Sequence, residues 1–293
     1  MFTKIFSFFL SIITFFAGIF GFETTEIQNH VYHNLAYGTH ERHTLDLYIP
    51  KAKDEVGLVL FIHGGAWIGG DKDGYRSTLE SIANEYGYAC AAVNYRYISE
   101  TVDLNDIMDD IELAVKCIKE KGAENGTNIN RMLLTGGSAG GHLSLLYGYS
   151  RCDTSAIPPA AVVSDCGPTD LTDDNYYINN ALGDEEYVAK ILSWACGQPF
   201  TYETRAEAAE ALERVSPLYY AAADTVPTVI NHGMKDDIVP FSNAQALDKK
   251  LSELGVKHVF NIYPNSGHGL SEDPENMRIA KELLYEYMAT YIG

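Results

Sequence analysis

Positive charge is scarce in this sequence. Its 293 residues include 21 lysines and arginines but 40 aspartates and glutamates, which gives a formal net charge of −19 at pH 7. No run of lysine or arginine interrupts this acidity, so a polyanion such as nucleic acid is repelled from the surface rather than attracted to it. We therefore expect no nucleic-acid partner.

Cysteine is also sparse, and its spacing excludes the common metal-binding patterns. The sequence has no C-x-x-C motif and no Cys/His pairing, which argues against a zinc site. An odd number of cysteines leaves at least one thiol free, although one disulfide between Cys152 and either Cys166 or Cys196 stays open. The five cysteines are Cys90, Cys117, Cys152, Cys166 and Cys196.

A long hydrophobic run lies near the N-terminus. Residues 5–22 follow Lys4, are rich in Phe, Ile and Leu, carry no charge and stop at Glu23. One positive residue before such a run is typical of a secretory signal peptide or an uncleaved membrane anchor, and the run is borderline in length for a bilayer span of about 20 residues. A buried core helix is the third alternative. The first two predict a protein that is secreted, or attached to a membrane by residues 1–22 and facing away from the cytoplasm.

The remaining chain, residues 23–293, has the length of one large domain and shows no linker and no internal repeat. Its short apolar runs alternate with helical patterns, which predicts an α/β fold with a mostly parallel central sheet flanked by helices. The alternating segment 43–50 ends on a proline and is predicted to be an edge strand. The other predicted strands lie at residues 56–62, 88–93, 132–134, 160–163, 228–230 and 259–263.

Five stretches are predicted to form the main helices, and the second of them is amphipathic. In the second of them, acidic residues come first and lysines last, which complements the helix dipole, and Gly122 is predicted to end it. The five predicted helices lie at residues 77–86, 103–121, 142–149, 243–254 and 274–291.

The alternation of strands and helices breaks down between residues 171 and 214. This segment is acidic and aromatic, and we interpret it as a small cap-like insertion over the edge of the sheet. Its residues Tyr176, Tyr177 and Trp194 could stack on a sugar or an aromatic acyl group, or they could form the small core of the insertion itself. Together with Trp67, these three residues are the candidate substrate contacts.

The chain is organised around a glycine-rich turn, TGGSAGG, at residues 135–141. Ser138 stands there with glycine two residues before it and two residues after it, between an apolar run and a helical pattern. This is the pattern of a nucleophile elbow. Such a serine needs a strained backbone conformation on a sharp strand-to-helix turn, and side chains at the flanking positions would collide. An ordinary glycine turn is the alternative.

A nucleophilic serine needs a base and an orienting acid, and both are offered farther along the chain. His268 lies between two glycines after the last predicted strand, and Asp236 and Asp237 follow the preceding strand. Open α/β sheets bind ligands at the edge where their parallel strands end, and the order Ser, Asp, His is that of hydrolases with a nucleophile elbow. Only one aspartate is expected to face the histidine, and we favour Asp236. Solvated acids and a solvated histidine are the alternative.

Backbone N–H groups that could bind an oxyanion are predicted at two places. Gly65 and Ala66 follow the buried strand 56–62, and their N–H groups are clear of large side chains. Ala139 opens the helix after the serine, so its N–H is directed to the same region. We expect these three groups to form an oxyanion hole, with an ordinary Gly-Gly turn as the alternative.

These motifs resemble those of the α/β-hydrolase superfamily, in the esterase/lipase branch whose oxyanion loop reads HGGG or HGGxW. The segment GPTDL, at residues 167–171, is similar to that of feruloyl-esterase-like and acetyl-xylan-esterase-like enzymes. The resemblance covers residues 44–291. The motifs that carry it are HGGAW at 63–67, GGSAG at 136–140, HGMKDDIVP at 232–240 and SGHG at 266–269.

The resemblance implies a carboxylic ester hydrolase that works through an acyl-enzyme and needs neither a metal nor an organic cofactor. The implied substrate is a small-molecule or carbohydrate ester. The family often has a third glycine where this chain has an alanine, a change that keeps the N–H available. The implied roles are nucleophile for Ser138, base for His268, acid for Asp236, and oxyanion donors for Gly65, Ala66 and Ala139.

Two other functions stay open at this point. Kynurenine formamidases carry the same HGGxW loop and cleave an N-formyl amide with the same triad, although an export signal argues against that cytoplasmic role. Some members of the superfamily are binding or adhesion proteins that have lost the serine. In this chain Ser138, Asp236 and His268 are all present, which favours an enzyme.

Overall fold

The computed structural model describes residues 28–51, 53–178 and 180–293. The hydrophobic run predicted to be a signal peptide or anchor, within residues 1–22, lies outside the described residues. In the part of the chain that is described, no helix combines the length and the apolar character needed to cross a membrane.

The described residues form one sheet of eight strands in the order β1-β2-β4-β3-β5-β6-β7-β8. The strands are β1 (Asn29–Ala36), β2 (Thr44–Pro50), β3 (Glu55–Ile62), β4 (Ala89–Val93), β5 (Asn128–Gly137), β6 (Pro159–Asp165), β7 (Thr228–Gly233) and β8 (His258–Tyr263). β1 pairs with β2, and β2 with β4, in antiparallel direction. Every other neighbouring pair is parallel, which confirms the predicted mostly parallel sheet.

Helices cover both faces of this sheet. They are α1 (Arg76–Tyr86), α2 (Leu104–Glu124), α3 (Ala139–Ser150), α4 (Glu185–Cys196), α5 (Ala209–Glu213), α6 (Phe241–Leu254) and α7 (Pro274–Tyr287). Leu58, Leu60 and Ile62 of β3 belong to a large core that includes side chains of α2, α3, α4 and α6. Val59 and Phe61 belong to a second core with side chains of α1 and α7. Because side chains alternate across a strand, β3 buries apolar residues on both faces, as a central parallel strand does.

The segment predicted to be an edge strand is not one. β2 lies between β1 and β4, and β1 forms the edge of the sheet. The sequence did not predict β1 because the strand carries two histidines and two asparagines and none of its eight residues is fully buried, so it lacks a clear hydrophobic alternation. Pro50 is tolerated in an inner strand because it is the last residue of β2.

α2 begins where the sequence predicted and ends later. The Asp103 side chain accepts from N–H groups of the first turn, and the Asp106 side chain accepts in return from the Asp103 N–H, which forms a capping box. Gly122 lies inside the helix, and the Asn125 N–H still bonds back to it. The prediction that Gly122 ends the helix is therefore wrong, and the left-handed residue after the helix is Gly126, with φ 75°.

Residues 171–214, interpreted as a cap-like insertion, contain α4 and α5 and two short 3₁₀ turns. Asp184 caps the start of α4 by accepting from Tyr187 N. The apolar face of α4, with Val188, Ile191 and Leu192, is buried in the larger core. The segment is therefore packed against the main domain through a helix that the sequence did not predict.

The disulfide that the cysteine count left open does not form. All five cysteines are described, and all are free thiols. Cys166 and Cys196 are buried, and Cys152, in the turn after α3, donates weakly to Tyr149 O.

Candidate active site

Ser138 lies on the turn between β5 and α3, with φ 56° and ψ −124°. Such a conformation is rare for a residue with a side chain and costs roughly 1–3 kcal/mol, so the surrounding structure must hold it. A Cβ on Gly136 or on Gly140 would collide with the carbonyl oxygen of Ile62, which explains the two flanking glycines. The Ser138 N–H donates to Asp165 O at 2.7 Å and so ties the turn to β6. The strand–turn–helix context predicted for a nucleophile elbow is present.

His268 is paired with Asp236. Its Nδ1 lies 2.8 Å from Asp236 Oδ2, and the carboxyl group is fully buried while 19% of the imidazole side chain is exposed. The neighbouring Asp237 is exposed, and its backbone carbonyl accepts from Ala181 N at 2.8 Å. Of the two aspartates that the sequence offered, the structure therefore brings Asp236 to the histidine.

The loop that carries the histidine is held by an aspartate that no motif revealed. Asp273 Oδ2 accepts from the N–H groups of Asn265 and Ser266 at 2.9 and 2.8 Å, and from Ser266 Oγ at 2.7 Å. Ser266 O in turn accepts from Lys235 N at 3.0 Å. Because Lys235 directly precedes the acid, these bonds fix the loops of the acid and the base relative to each other. The only signal in the sequence is the short distance between Asp273 and the SGHG motif.

Asp236 is a buried carboxylate surrounded by donors. Oδ1 accepts from Ile238 N and Val239 N at 2.9 Å each, and Oδ2 faces His268 at 2.8 Å and His232 at 3.3 Å. Burial by itself raises the pKa of Asp236, but hydrogen bonds from the two histidines outweigh it and hold that pKa well below its ordinary value. Asp236 is therefore ionised at neutral pH and accepts the Nδ1 proton of His268.

The Ser138 hydroxyl makes no hydrogen bond to any residue that the structure describes, and neither does Nε2 of His268. In hydrolases without substrate, the contact between nucleophile and base is often long and tightens in the bound complex. Because Nδ1 of His268 is engaged by Asp236, Nε2 is the nitrogen left to take a proton from Ser138.

The oxyanion loop follows β3 and contains three successive residues with positive φ. These are Gly65 at 116°, Ala66 at 50° and Trp67 at 60°. Two N–H groups of the next turn close the loop by donating to Gly65 O at 3.0 Å. The N–H groups of Gly65, Ala66 and Ala139 have no acceptor within the described ranges, and Ala66 and Ala139 line a cavity with Ser138. Gly65, the third predicted donor, shapes the loop but is not on the cavity wall.

This strained loop is clamped by residues distant in the sequence. Arg42 donates to Gly70 O at 3.1 Å and to Tyr95 O at 2.8 Å, and it lies 3.2 Å from His63 Nε2. The Tyr95 hydroxyl donates to His63 O at 2.8 Å. Burial lowers the pKa of His63 to about 4, and its Nδ1 donates to Gly64 O at 2.8 Å. Nε2 of His63 is therefore an acceptor for Arg42. No motif or spacing in the sequence pointed to Arg42 or Tyr95.

The cavity beside Ser138 is small and apolar. Its volume is about 30 Å³. Trp67 and Tyr176, two of the predicted substrate contacts, lie in its wall, and α4 closes it from the side of the insertion. Besides Ser138, it is lined by Ala66, Trp67, Ala139, Pro168, Tyr176, Leu182, Val188, Ile191, Leu192, Ile238 and Val239.

The other two predicted substrate contacts lie elsewhere in the insertion. The Tyr177 ring is 5.1 Å from the Tyr202 ring, and the Arg205 guanidinium lies over both rings. The Trp194 ring packs on the core and lies 4.8 Å from Lys190 Nζ. Neither Tyr177 nor Trp194 is among the described residues that line the cavity with Ser138. They fit the alternative in which these aromatic residues form the core of the insertion.

Cys166, His232 and Asp236 lie close enough to raise the question of a metal site, since their ligand atoms are within 4.8 Å of one another. His232 Nε2 lies 3.0 Å from Val239 O, and because a carbonyl oxygen only accepts, this nitrogen carries a proton and is not a ligand. Burial raises the pKa of the Cys166 thiol far above its ordinary value, so the sulfur keeps its proton. The three groups form a hydrogen-bonding cluster around the Asp236 carboxylate.

The chain matches one protein family and is similar to known esterases. The BD-FAE family model matches residues 45–251, a range that includes Ser138 and Asp236. The chain is 30% identical over 241 residues to the probable carboxylic ester hydrolase LipM of Mycobacterium tuberculosis, and the match covers 77% of this chain and 53% of LipM. It is 26% identical over 241 residues to esterase LipQ of the same organism, with 80% and 56% covered. The chain thus spans about half the length of these curated relatives.

Solved structures share the fold. A truncated carbohydrate esterase from gut microbiota matches with a TM-score of 0.71 at 20% identity, over 91% of this chain and 99% of that one. Inhibited esterase B from Lactobacillus rhamnosis matches with a TM-score of 0.70 at 20% identity, over 98% of this chain and 95% of that one. The predicted hydrolase fold, with its mostly parallel sheet between helices, is confirmed.

Proposed function

The chain belongs to the BD-FAE family of α/β-hydrolases, and we propose that it is a serine hydrolase that cleaves carboxylic esters through an acyl-enzyme. The observation that carries the proposal is the 2.8 Å bond between His268 Nδ1 and the buried Asp236 carboxylate. This pair accompanies a serine on a strained turn and two backbone N–H groups without protein acceptors in the described residues. A histidine with only a structural role would not require a serine on a strained turn and free backbone N–H groups nearby.

In the first step, Nε2 of His268 takes the proton of the Ser138 hydroxyl as Oγ attacks the ester carbonyl carbon. Asp236 holds the ring in the tautomer that leaves Nε2 free to accept, and its charge stabilises the imidazolium that forms. The carbonyl oxygen becomes an oxyanion, which the N–H groups of Ala66 and Ala139 stabilise. The carbon–oxygen bond to the alcohol then breaks, and His268 returns the proton to the departing alcohol.

In the second step, water attacks the acyl-enzyme. His268 takes a proton from the water, the oxyanion forms again in the same place, and the bond from the acyl carbon to Ser138 Oγ breaks. The serine recovers its proton from His268, and the carboxylic acid leaves. None of these steps requires a metal or an organic cofactor.

The substrate is proposed to be an ester with a short acyl group, on an alcohol that is a carbohydrate or another small molecule. Support comes from the cavity of about 30 Å³ beside Ser138, which leaves room for a methyl group rather than for a long chain. A second cleft, of about 350 Å³, shares Ile238 with this cavity and is lined in part by Asp236, Met234 and Ile178. An alcohol as large as a sugar fits a space of that size.

The direct test uses Ser138→Ala with p-nitrophenyl acetate, p-nitrophenyl octanoate, acetylated xylan and feruloylated sugars. The wild-type protein should hydrolyse acetate esters and should be labelled at Ser138 by a fluorophosphonate, as read by peptide mass spectrometry. Ser138→Ala should lose activity by a factor of about 10⁶ and lose the label, while its circular dichroism is unchanged. A variant that keeps most of the activity, or a label on another residue, would contradict the proposed mechanism.

Residues 1–22 are proposed to export the protein, either as a cleaved signal peptide or as an anchor. The support is Lys4 followed by the uncharged run 5–22. Expression of the full chain in a bacterial host, followed by fractionation and N-terminal sequencing, distinguishes the two forms. Recovery of an uncleaved, freely dispersed protein from the cytoplasm would overturn the export proposal and leave the ester hydrolase proposal unaffected.

A further inference from the structure

A second histidine lies behind the acid of the proposed triad. His232 is in β7, and its side chain is fully buried. Its Nε2 lies 3.0 Å from Val239 O and 3.3 Å from Asp236 Oδ2. The proposed reaction assigns no role to this residue, although it contacts the same carboxylate oxygen that binds His268.

The surroundings of the His232 ring determine which nitrogen carries the proton. Val239 O only accepts, so Nε2 donates. Nδ1 is buried and has no hydrogen-bond partner within the described chain, so a proton there would be a donor without an acceptor, which is costly in a protein interior. The neutral ring with its proton on Nε2 satisfies both conditions. His232 therefore presents one N–H, shared between the Val239 carbonyl and the Asp236 carboxylate.

This N–H closes a turn that is already bonded at its other side. Val239 N donates to Asp236 Oδ1 at 2.9 Å, while Val239 O accepts from His232. The carboxylate is thus held on Oδ1 by the backbone and on Oδ2 by His232. Rotation of the carboxyl group away from His268 would break the bonds on both sides.

We propose that His232 is a positioning residue for the acid of the triad: its Nε2–H holds Asp236 Oδ2 in place against His268 and shares the charge of the carboxylate. The inference rests on the proposed function. His232 does not touch the substrate or Ser138 Oγ in this role, and it acts only through Asp236.

The other titratable groups that face Asp236 do not take over this role. Cys166, after β6, keeps its proton because burial raises the pKa of its thiol, and it donates a weak S–H hydrogen bond to Asp236. The Tyr176 hydroxyl, in the insertion, donates to Asn243 Oδ1 at 3.0 Å and not to Asp236. His268 faces Asp236 from the loop after β8. The imidazole N–H groups of His232 and His268 are therefore the strong side-chain donors that divide the charge on Oδ2 between them. Without His232, more of that charge acts on His268, which favours its protonated form.

The test compares His232→Leu with His232→Gln. Leucine removes the N–H, whereas glutamine carries an N–H on an atom as many bonds from Cα as Nε2 of histidine. For His232→Leu we expect kcat to fall about tenfold to 100-fold, as for loss of a hydrogen bond to a charged group, with KM little changed. The acidic limb of the pH–rate profile should move up by about half a pH unit. His232→Gln should recover most of kcat and return the limb toward the wild-type position.

His142 provides a matched control. It is also fully buried, its Nε2 lies 2.8 Å from a backbone carbonyl, that of Val215, and its Nδ1 also has no partner among the described residues. It makes no contact with Asp236. His142→Leu should therefore lower the thermal unfolding temperature about as much as His232→Leu does, but it should leave the acidic limb in place.

A readout without substrate separates this inference from the proposed function. The titration midpoint of the His268 ring, followed by NMR of histidine labelled with ¹⁵N, should move up in His232→Leu and return in His232→Gln, even if no ester is found to be a substrate. An unmoved or lowered midpoint in His232→Leu overturns the inference, as does a glutamine variant that is as impaired as the leucine variant. In those cases His232 serves packing only, as His142 does.

Discussion

The acid loop, residues 236–239, and the oxyanion loop, residues 64–70, hold their functional groups by different means. In the acid loop, one carboxylate collects N–H groups from its own turn and from two histidines. In the oxyanion loop, the backbone itself is forced into three successive positive φ angles. That conformation is held from outside, by Arg42 from the turn before β2 and by Tyr95 after β4.

The two loops therefore differ in which substitutions should displace their functional groups. A carboxylate that is bonded mostly by its neighbours in the sequence keeps its place through a short turn. A backbone N–H in a strained loop keeps its place only while distant side chains hold the strain, which costs roughly 1–3 kcal/mol for each such residue. We therefore expect the acid loop to be sensitive to changes within it, and the oxyanion loop to be sensitive to changes far from it.

The largest loss of activity is expected from a substitution in the acid loop. Asp236→Asn keeps the shape of the side chain but no longer requires a proton on Nδ1 of His268, so the histidine is held in the wrong tautomer. We expect kcat for p-nitrophenyl acetate to fall by about 10⁴. Asp237→Asn is the matched control, because Asp237 is exposed and one residue away, and its activity should stay near that of the wild type. Equal losses in the two variants would contradict the assignment of Asp236.

The second prediction concerns a residue outside the oxyanion loop that holds the loop in its conformation. Arg42→Ala removes the donors to Gly70 O, Tyr95 O and His63, and the loop should relax from its strained conformation. Because a small displacement of the oxyanion donors is costly, we expect kcat to fall by about 100-fold with a smaller change in KM.

The control for this change is Arg96→Ala. Arg96 binds the buried Asp110 of α2 rather than the oxyanion loop. Arg96→Ala should lower stability, measured as the unfolding temperature, because it removes the guanidinium that pairs with a buried carboxylate. Its effect on kcat of the folded protein should be much smaller than that of Arg42→Ala. If the two arginine variants lose kcat equally, the loop does not depend on Arg42.

The third prediction concerns the cavity between the two loops. Leu192→Ala in α4 should enlarge it and shift the preference from acetyl toward butyryl esters. We expect the ratio of kcat/KM for p-nitrophenyl butyrate to that for the acetate to rise by about tenfold or more, since one methylene group is worth 10–200-fold in an apolar pocket. Trp194→Ala changes the same helix away from the cavity and should leave this ratio unchanged.

The smallest expected effect is the change in the free energy of unfolding with pH. Burial lowers the pKa of His63 and of His142 to about 4, whereas it raises the pKa of Asp165 to about 6. Between pH 6 and pH 4, His63 and His142 are protonated in the unfolded chain but largely neutral in the native protein. Asp165 is largely protonated in the native protein but ionised in the unfolded chain. Over His63, His142 and Asp165 the net difference is one proton, which lowers the free energy of unfolding by about 1.4 kcal/mol per pH unit. Burial also lowers the pKa of His43, which acts in the same direction.

Two variants sharpen this pH prediction in opposite directions. His142→Leu removes one of the protons that favour the unfolded chain, so the loss of stability between pH 6 and pH 4 should become shallower. Asp165→Asn removes the proton that favours the native protein, so the loss of stability on acidification should become steeper. Urea titrations at several pH values measure both slopes. Parallel curves for all three proteins would show that these groups do not control the acid response.

Features that depend on local sterics and on the order of elements along the chain can be predicted from the sequence. The glycines around Ser138 indicate the strained turn, because only glycine fits beneath the Ile62 carbonyl. The alternation of apolar runs and helical patterns indicates a parallel sheet, and with it the edge at which Ser138, Asp236 and His268 are presented. In each case the residues that form the sequence pattern are close in the chain to the residues whose structure they determine.

Features that join distant segments could be seen only in the folded structure. It placed β1 at the edge of the sheet, paired His268 with Asp236, and brought Arg42, His232 and Asp273 to the loops of the site. It also placed Tyr176 in the cavity wall and Tyr177 against its own segment, although the two residues are adjacent. The physical reason is that a hydrogen bond or a packing contact between segments far apart in the chain leaves no periodicity or spacing in the sequence, since it depends on how the whole sheet brings those segments together.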